Sequence, residues 1–199
     1  GIEYNGGLQW STILRLPEFQ NEFGMGWNGD HTELENGSWG PRFDGSMQLW
    51  GNKYENSQKL KPYSPIKNNI KDFFDAGFRY NNSVSFNGAT DKSEYYVSFS
   101  QISDDGMVPT DADSYDKYTF SARGSHKVKA LTFSSSLNYS YQKNKFATTG
   151  QGLTMLNSLY QTPRDVSIIS LQDQNDIFNS PGYFYTPYGV MNPYYILEN

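Results

Sequence analysis

The sequence predicts an all-β chain: about five antiparallel strands of transmembrane-barrel type, a segment of a larger barrel, with long extracellular loops and a short loop helix. Three observations lead there. Several stretches of roughly ten residues alternate apolar and polar side chains with period two, as a strand with one apolar face does. The connections between them alternate between short and long. And the chain's polarity is carried by uncharged groups: of 199 residues, 36% are hydrophobic, 17% aromatic and only 19% charged, with a mean hydropathy of −0.72.

In chain order, Ile2 to Trp10 is the weakest of the five strands. Phe78, Tyr80, Val84 and Phe86 then alternate with Arg79, Asn81, Ser83, Ser85 and Asn87. Tyr95, Val97 and Phe99 alternate with Tyr96, Ser98 and Ser100, and Tyr118, Phe120 and Ala122 with Thr119, Ser121 and Arg123. The clearest strand is Leu131 to Gln142, where Leu131, Phe133, Leu137, Tyr139 and Tyr141 share one face and only Ser135 interrupts it. Residues 88–92 and 125–129 read as short turns, 103–114 as a longer loop, and 13–71 and 144–199 as very long ones. Antiparallel neighbours would put every short turn at one end of the sheet and every long loop at the other, the habit of outer-membrane barrels. Phe78, Tyr80, Tyr115, Tyr118, Tyr139 and Tyr141 fall toward the long-loop end, and Phe86, Tyr95 and Phe133 toward the other, resembling two aromatic girdles.

A soluble antiparallel sandwich alternates in the same way, one face on a core and one in water. Two features favour the barrel. The polar faces are mostly Ser, Asn and Thr, which suits a crowded lumen, whereas a solvated face normally carries Lys, Glu and Arg. Loops longer than ~12–15 residues are also uncommon in compact soluble domains. In the last loop, Leu153, Leu156 and Tyr160 share a helical face with Leu159 beside it, and Pro163 ends that helix. The stretch from Ser180 to Pro193 reads as an ordered loop. Because the first residues already read as a strand, the chain is expected to be a piece of something longer.

Composition and motifs narrow the function classes. The net charge is −5 and the isoelectric point about 5.0, so no basic footprint for nucleic acid is present. Absence of cysteine removes disulfides and thiolate metal sites. Gly24-Met25-Gly26-Trp27-Asn28-Gly29 matches the spacing of a dinucleotide fingerprint, yet Asp30 to Trp39 has no helical periodicity behind it, so these glycines read as turn formers. Asp104, Asp105, Asp111, Asp113 and Asp116 lack the Gly and Glu of a calcium loop and read as a solvated face. His31 and His126 have no ligand spacing, and no nucleophile elbow occurs. The expectation is therefore a non-enzyme with no cofactor and no metal. The loops are rich in rings, Trp39, Trp50, Tyr54, Tyr63, Tyr183, Tyr185 and Tyr188, which either stack on sugars or a protein partner or build small cores under the loops. Trp39, Trp50, Tyr54, Tyr183 and Tyr185 are the candidates for substrate or partner contact.

Several segments carry a family resemblance. Leu16-Pro17-Glu18-Phe19-Gln20-Asn21-Glu22-Phe23-Gly24, Asn36-Gly37-Ser38-Trp39-Gly40-Pro41-Arg42-Phe43-Asp44-Gly45, Asn69-Ile70-Lys71-Asp72-Phe73-Phe74-Asp75-Ala76-Gly77, Asn81-Asn82-Ser83-Val84-Ser85, Thr162-Pro163-Arg164-Asp165-Val166 and Asn192-Pro193-Tyr194-Tyr195 resemble, in order, the SusC/RagA family of TonB-dependent outer-membrane transporters of Bacteroidota. The resemblance implies the start of a plugged 22-stranded barrel, just after the plug. It further implies a multi-pass protein in the lipid of the cell outer membrane, a SusD-like surface lipoprotein over the mouth, contact with TonB through an absent N-terminal region, and import of glycans, oligosaccharides or peptides. Trp39-Gly40-Pro41 and Pro163-Arg164-Asp165 match family motifs and are expected to shape loops. The alternative of another class is a soluble secreted β-sandwich that binds carbohydrate.

Overall fold

A computed structural model describes residues 1–185 and 190–199. Tyr188 and the adjoining part of the Ser180 to Pro193 stretch lie outside the described residues. In chain order the strands are β1 (Ile2–Ser11), β2 (Gly26–Trp27), β3 (Asp30–His31), β4 (Met47–Tyr54), β5 (Ser57–Pro62), β6 (Gly77–Ala89), β7 (Ser93–Asp105), β8 (Ser114–Val128) and β9 (Leu131–Asn144). Two short helices follow, α1 (Met155–Gln161) and α2 (Pro193–Glu198). The chain is mostly β, its strand pairs are antiparallel, and no described helix is long and apolar enough to cross a membrane.

The fold divides into two compact units. The first is an open five-stranded sheet in the order β1-β6-β7-β8-β9, with β1 and β9 as its edges. Its strands outrun the alternating stretches visible in the sequence, because hydrogen bonding continues through polar ends where no apolar residue marks it. The turn expected over 125–129 is tighter: β8 runs to Val128, β9 starts at Leu131 and pairs with it, and Lys129 takes a positive φ of 54°, as a two-residue hairpin turn requires. At the other short connection the Thr90 hydroxyl accepts from the Ser93 amide at 3.0 Å. Tyr115 does not belong with the ring girdle, since it pairs with Asp104 on the polar face, one residue out of phase with Tyr118. Gly88 leaves room for a ring: a Cβ there would lie 2.4 Å from the Tyr95 hydroxyl, so Tyr95 covers the gap across the pair.

The second unit comprises residues 13–75, 108–112 and 147–199. It contains two hairpins. In β2–β3, Asn28 and Gly29 both have positive φ, 54° and 84°, the paired left-handed conformations of a type I′ turn. In β4–β5, Glu55 and Asn56 do the same at 44° and 62°. The glycine-rich 24–29 run is thus backbone architecture: a Cβ on Gly26 would stand 1.9 Å from the Asp30 carbonyl oxygen. The core gathers Met25, Trp50, Ile70, Phe73, Met155, Leu159, Val166, Ile168, Leu171, Phe184, Tyr185, Val190 and Tyr194.

The loop helix forms, but presents a different face. Thr154 caps α1, its hydroxyl accepting from the Asn157 amide at 3.3 Å, and the helix buries Met155, Ser158 and Leu159. Leu153 lies before the cap, and it and Tyr160 are exposed. Starting the helix at Met155 makes the i, i+4 pair Met155 and Leu159 the inward stripe, which rotates the expected face away.

Candidate functional site

Directly paired residues in an antiparallel sheet share a face, so the registers sort every side chain of the first unit. One cross-sheet row is Ile2, Phe86, Val97, Ala122 and Leu137; the next is Tyr4, Val84, Phe99, Phe120 and Tyr139. The opposite face carries Glu3, Ser85, Ser98, Ser121 and Asn138, then Asn5, Ser83, Ser100, Thr119 and Ser140. All five strands therefore turn their apolar sides the same way. Much of that surface is exposed, with Ile2 at 77%, Leu8 at 64% and Leu137 at 59%, while Val84, Val97, Phe120 and Ala122 on the central strands are half-buried.

The apolar band is oblique to the hydrogen-bonded rungs. On β1 it runs from Ile2 to Trp10 and centres on Gly6. That residue's rung crosses Asn82, Gln101 and Tyr118 and ends at Tyr141, whereas the band on β9, Leu131 to Tyr141, centres on Ser136. The shift is about five residues over four strand spacings. At ~3.4 Å per residue and ~4.8 Å between strands, the band slopes roughly 40° from the rungs.

The polar face carries a few charged side chains, among them Glu3, Arg79, Glu94, Asp104 and Arg123, within its Ser/Asn/Thr field. The Arg123 guanidinium lies over the Tyr96 ring at 4.6 Å, in a cavity of about 740 Å³ near the hairpin turns that also includes Asn87, Glu94 and Ser136. At the opposite end of the sheet the Asp113 carboxylate accepts from the Met107 amide at 3.0 Å, the Asp116 carboxylate from the Ser103 hydroxyl at 2.7 Å, and Arg79 pairs with Asp104 at 3.7 Å. These acids shape the 106–113 connection. Among the described residues no three His, Asp or Glu side chains come together around a metal position. His31 lies 3.3 Å from the Leu49 carbonyl oxygen, and His126 is 2.7 Å from the Ser93 hydroxyl.

In the second unit the five candidate rings separate. Trp50 and Tyr185 are corrections as surface contacts: they are core, 5% and 0% exposed, with ring centroids 5.4 Å apart. A loop assembly without long helices or sheets needs large rings to exclude water, and these two supply them. Tyr54 and Tyr183 are half-buried and meet edge to face at 4.8 Å. Trp39 is 58% exposed and stands beside Phe23, whose ring also carries the Arg42 guanidinium at 5.0 Å.

What sequence reading missed is the polar framework under these rings. The Arg164 guanidinium donates to the Gln20 carbonyl, the Asn21 side chain and the Ile66 carbonyl, tying three loop segments. Asn69 donates to the Val166 carbonyl at 2.6 Å and accepts from the Ile168 amide at 2.9 Å. Asn192 donates to the Leu171 and Asn179 carbonyls and accepts from the Tyr194 amide. Lys61 forms a buried ion pair with Asp165, and burial pushes the Lys61 ammonium down to about 8. Burial also raises the Tyr185 hydroxyl, and it raises the Tyr194 hydroxyl to about 12 with help from the charge of Asp75. Asn21, Asn69, Arg164, Asp165 and Asn192 all fall within the segments that carry the family resemblance, but nothing in their local sequence assigns them these bonds. No family model and no curated protein matches the chain.

Proposed function

We propose that the chain is part of an outer-membrane β-barrel importer, taking up glycans, oligosaccharides or peptides through TonB with a surface lipoprotein partner. The slanted, uncovered apolar band supports the membrane half of this reading. Strands of transmembrane barrels tilt by ~35–45°, and a band parallel to a membrane must then cross the rungs at that angle, as the ~40° slope here does. Nine to eleven residues at that tilt rise roughly 21–26 Å, against a lipid-facing band of ~25 Å. A sandwich would need a second layer over the same side chains, and a water-soluble monomer rarely leaves so broad an apolar surface open.

The importer half rests on the family resemblance and on the opposite face, whose Ser, Asn and Thr rows suit a wet, crowded lumen. Trp39, Tyr54 and Tyr183 are the ring residues left exposed enough to meet a ligand or the lipoprotein. The test uses Trp10, the one tryptophan of the sheet unit. In vesicles of lipids brominated on the acyl chains, the full chain should lose Trp10 fluorescence, with the quenched component gone in Trp10→Phe. A chain that is monomeric in water without detergent and shows no quenching would overturn the proposal.

A further inference from the structure

We propose that the short-turn end of the sheet binds the phosphate headgroups of anionic phospholipids, an inference that rests on the membrane half of the importer reading and gives that end a lipid partner. Lys92, Lys127 and Lys129 meet there. The Lys127 amide donates to the Lys92 carbonyl at 2.8 Å, which extends the β7–β8 ladder one step past Ser93 and His126 and sets the two lysines side by side. Lys129 follows in the β8–β9 turn. All three are exposed, and among the described residues none forms an ion pair. Like charges directly opposite each other in a sheet are unfavourable, so an anion beside them is stabilising.

The other end of the sheet differs. Its cations face acids: Arg79 pairs with Asp104 at 3.7 Å, and Lys143 lies opposite Asp116 in the register. At the short-turn end the acids are Asp91, in the β6–β7 turn, and Glu94, on the polar face beside Ala89 and Ser125. The apolar face reaches this end as the exposed side chains of Tyr95, Val128, Leu131 and Phe133. His126 shares a row with Phe133, and with its Nδ1 on the Ser93 hydroxyl it keeps Nε2 for a ligand. Unpaired lysines at the edge of an apolar surface fit an anion that arrives attached to hydrocarbon: the acyl chains cover the rings while the long lysine side chains reach the phosphate. An acidic protein would use the lysines and leave the rings uncovered.

The experiment places the full chain, with Phe133→Trp as a reporter beside the lysines, in phosphatidylcholine vesicles containing either phosphatidylglycerol or phosphatidylcholine brominated on the acyl chains. The reporter's fluorescence, taken as the difference from the parent chain, should reach equal quenching at about fivefold or more less phosphatidylglycerol, and the preference should shrink in high salt. Lys92→Gln with Lys127→Gln and Lys129→Gln should remove the preference, whereas Lys143→Gln with Lys145→Gln should keep it. Equal quenching by the two lipids, indifference to the first set of substitutions, or equal loss with the second would each overturn the site. Inorganic phosphate that erases the preference at matched ionic strength would also overturn it, in favour of a site for the free anion. The two proposals fail separately: quenching by both lipids without preference removes only the headgroup site, and quenching by neither removes the membrane reading itself.

Discussion

The two units solve opposite problems with the same stock of residues. Every buried hydrophobic and every buried polar side chain among the described residues belongs to the loop unit; the sheet contributes none. The sheet has regular hydrogen bonding and no core of its own, so on the proposed reading its apolar side is matched by lipid. The loop unit has little regular hydrogen bonding and a closed core, so its irregular backbone must be satisfied by side chains. That is the work of Asn69, Arg164 and Asn192. One unit is organised by its backbone and completed by its surroundings, the other by its side chains and from within.

The largest expected effect breaks the loop unit. Asp165→Ala leaves Lys61 as a buried unpaired charge and should cost about 3–5 kcal/mol, read by urea unfolding followed through the near-ultraviolet signal of the core rings. Replacing both partners, Lys61→Met with Asp165→Leu, should recover most of that loss, because burying a charge pair carries a desolvation cost that apolar neighbours do not. If the double variant is as unstable as Asp165→Ala, the pair organises the loops in a way its charge alone does not explain.

Next comes the sheet. Leu137→Arg sits near the middle of the apolar band on β9 and should cost about 2–4 kcal/mol when the chain is folded into lipid vesicles. Ser136→Arg, its neighbour on the polar face, should cost little. Were the apolar face in water, both exposed substitutions would fall within about 0.5 kcal/mol of neutral. Equal effects of the two would therefore undo the contrast between the faces, and with it the membrane reading.

A smaller loss, about 1–3 kcal/mol, is expected of Asn192→Ala, which strands the Leu171 and Asn179 carbonyls and removes the cap of α2. Its counterpart Asn138→Ala, exposed on β9, should be close to silent in the same urea assay. Comparable losses at the two positions would mean that asparagine content, rather than burial, sets the effect.

Legibility in the sequence follows the same division. Period two is a local signal, so Leu131 to Tyr141 declares both its strand and its apolar face without any knowledge of neighbours. Tyr115 is not legible in this way, because one aromatic at a strand end looks alike in either phase until a partner fixes the register. The loop unit's contacts join residues about a hundred positions apart, such as Asn69 with Val166 and Lys61 with Asp165, and no spacing rule spans that distance. Trp50 and Tyr185 read as surface rings for the same reason: an aromatic in a long loop has one appearance in sequence and two fates in three dimensions. Even α1 followed this pattern, its existence readable from local apolar spacing and its buried face decided by the cap at Thr154.

The smallest expected effect sharpens the contrast by pH. Tyr185 and Tyr194 lie in the loop core, and burial, the larger cause for both, holds their hydroxyls protonated above the ordinary value of 10.0. The unfolded chain would release those protons from about pH 10 upward, while the folded unit keeps Tyr194 protonated to about 12. Their contribution is therefore complete below pH 10 and falls as pH rises beyond it, since the folded state then binds more protons than the unfolded one. At pH 11 the loss should be roughly 1 kcal/mol for each tyrosine. Tyrosinate absorbance followed with near-ultraviolet dichroism provides the check: two hydroxyls should stay silent until the loop core opens, and Tyr194→Phe should remove part of the alkaline sensitivity. If the core melts at alkaline pH no sooner in wild type than in that variant, the loop unit is not held closed around its tyrosines, and its interior would be as open to its surroundings as the sheet.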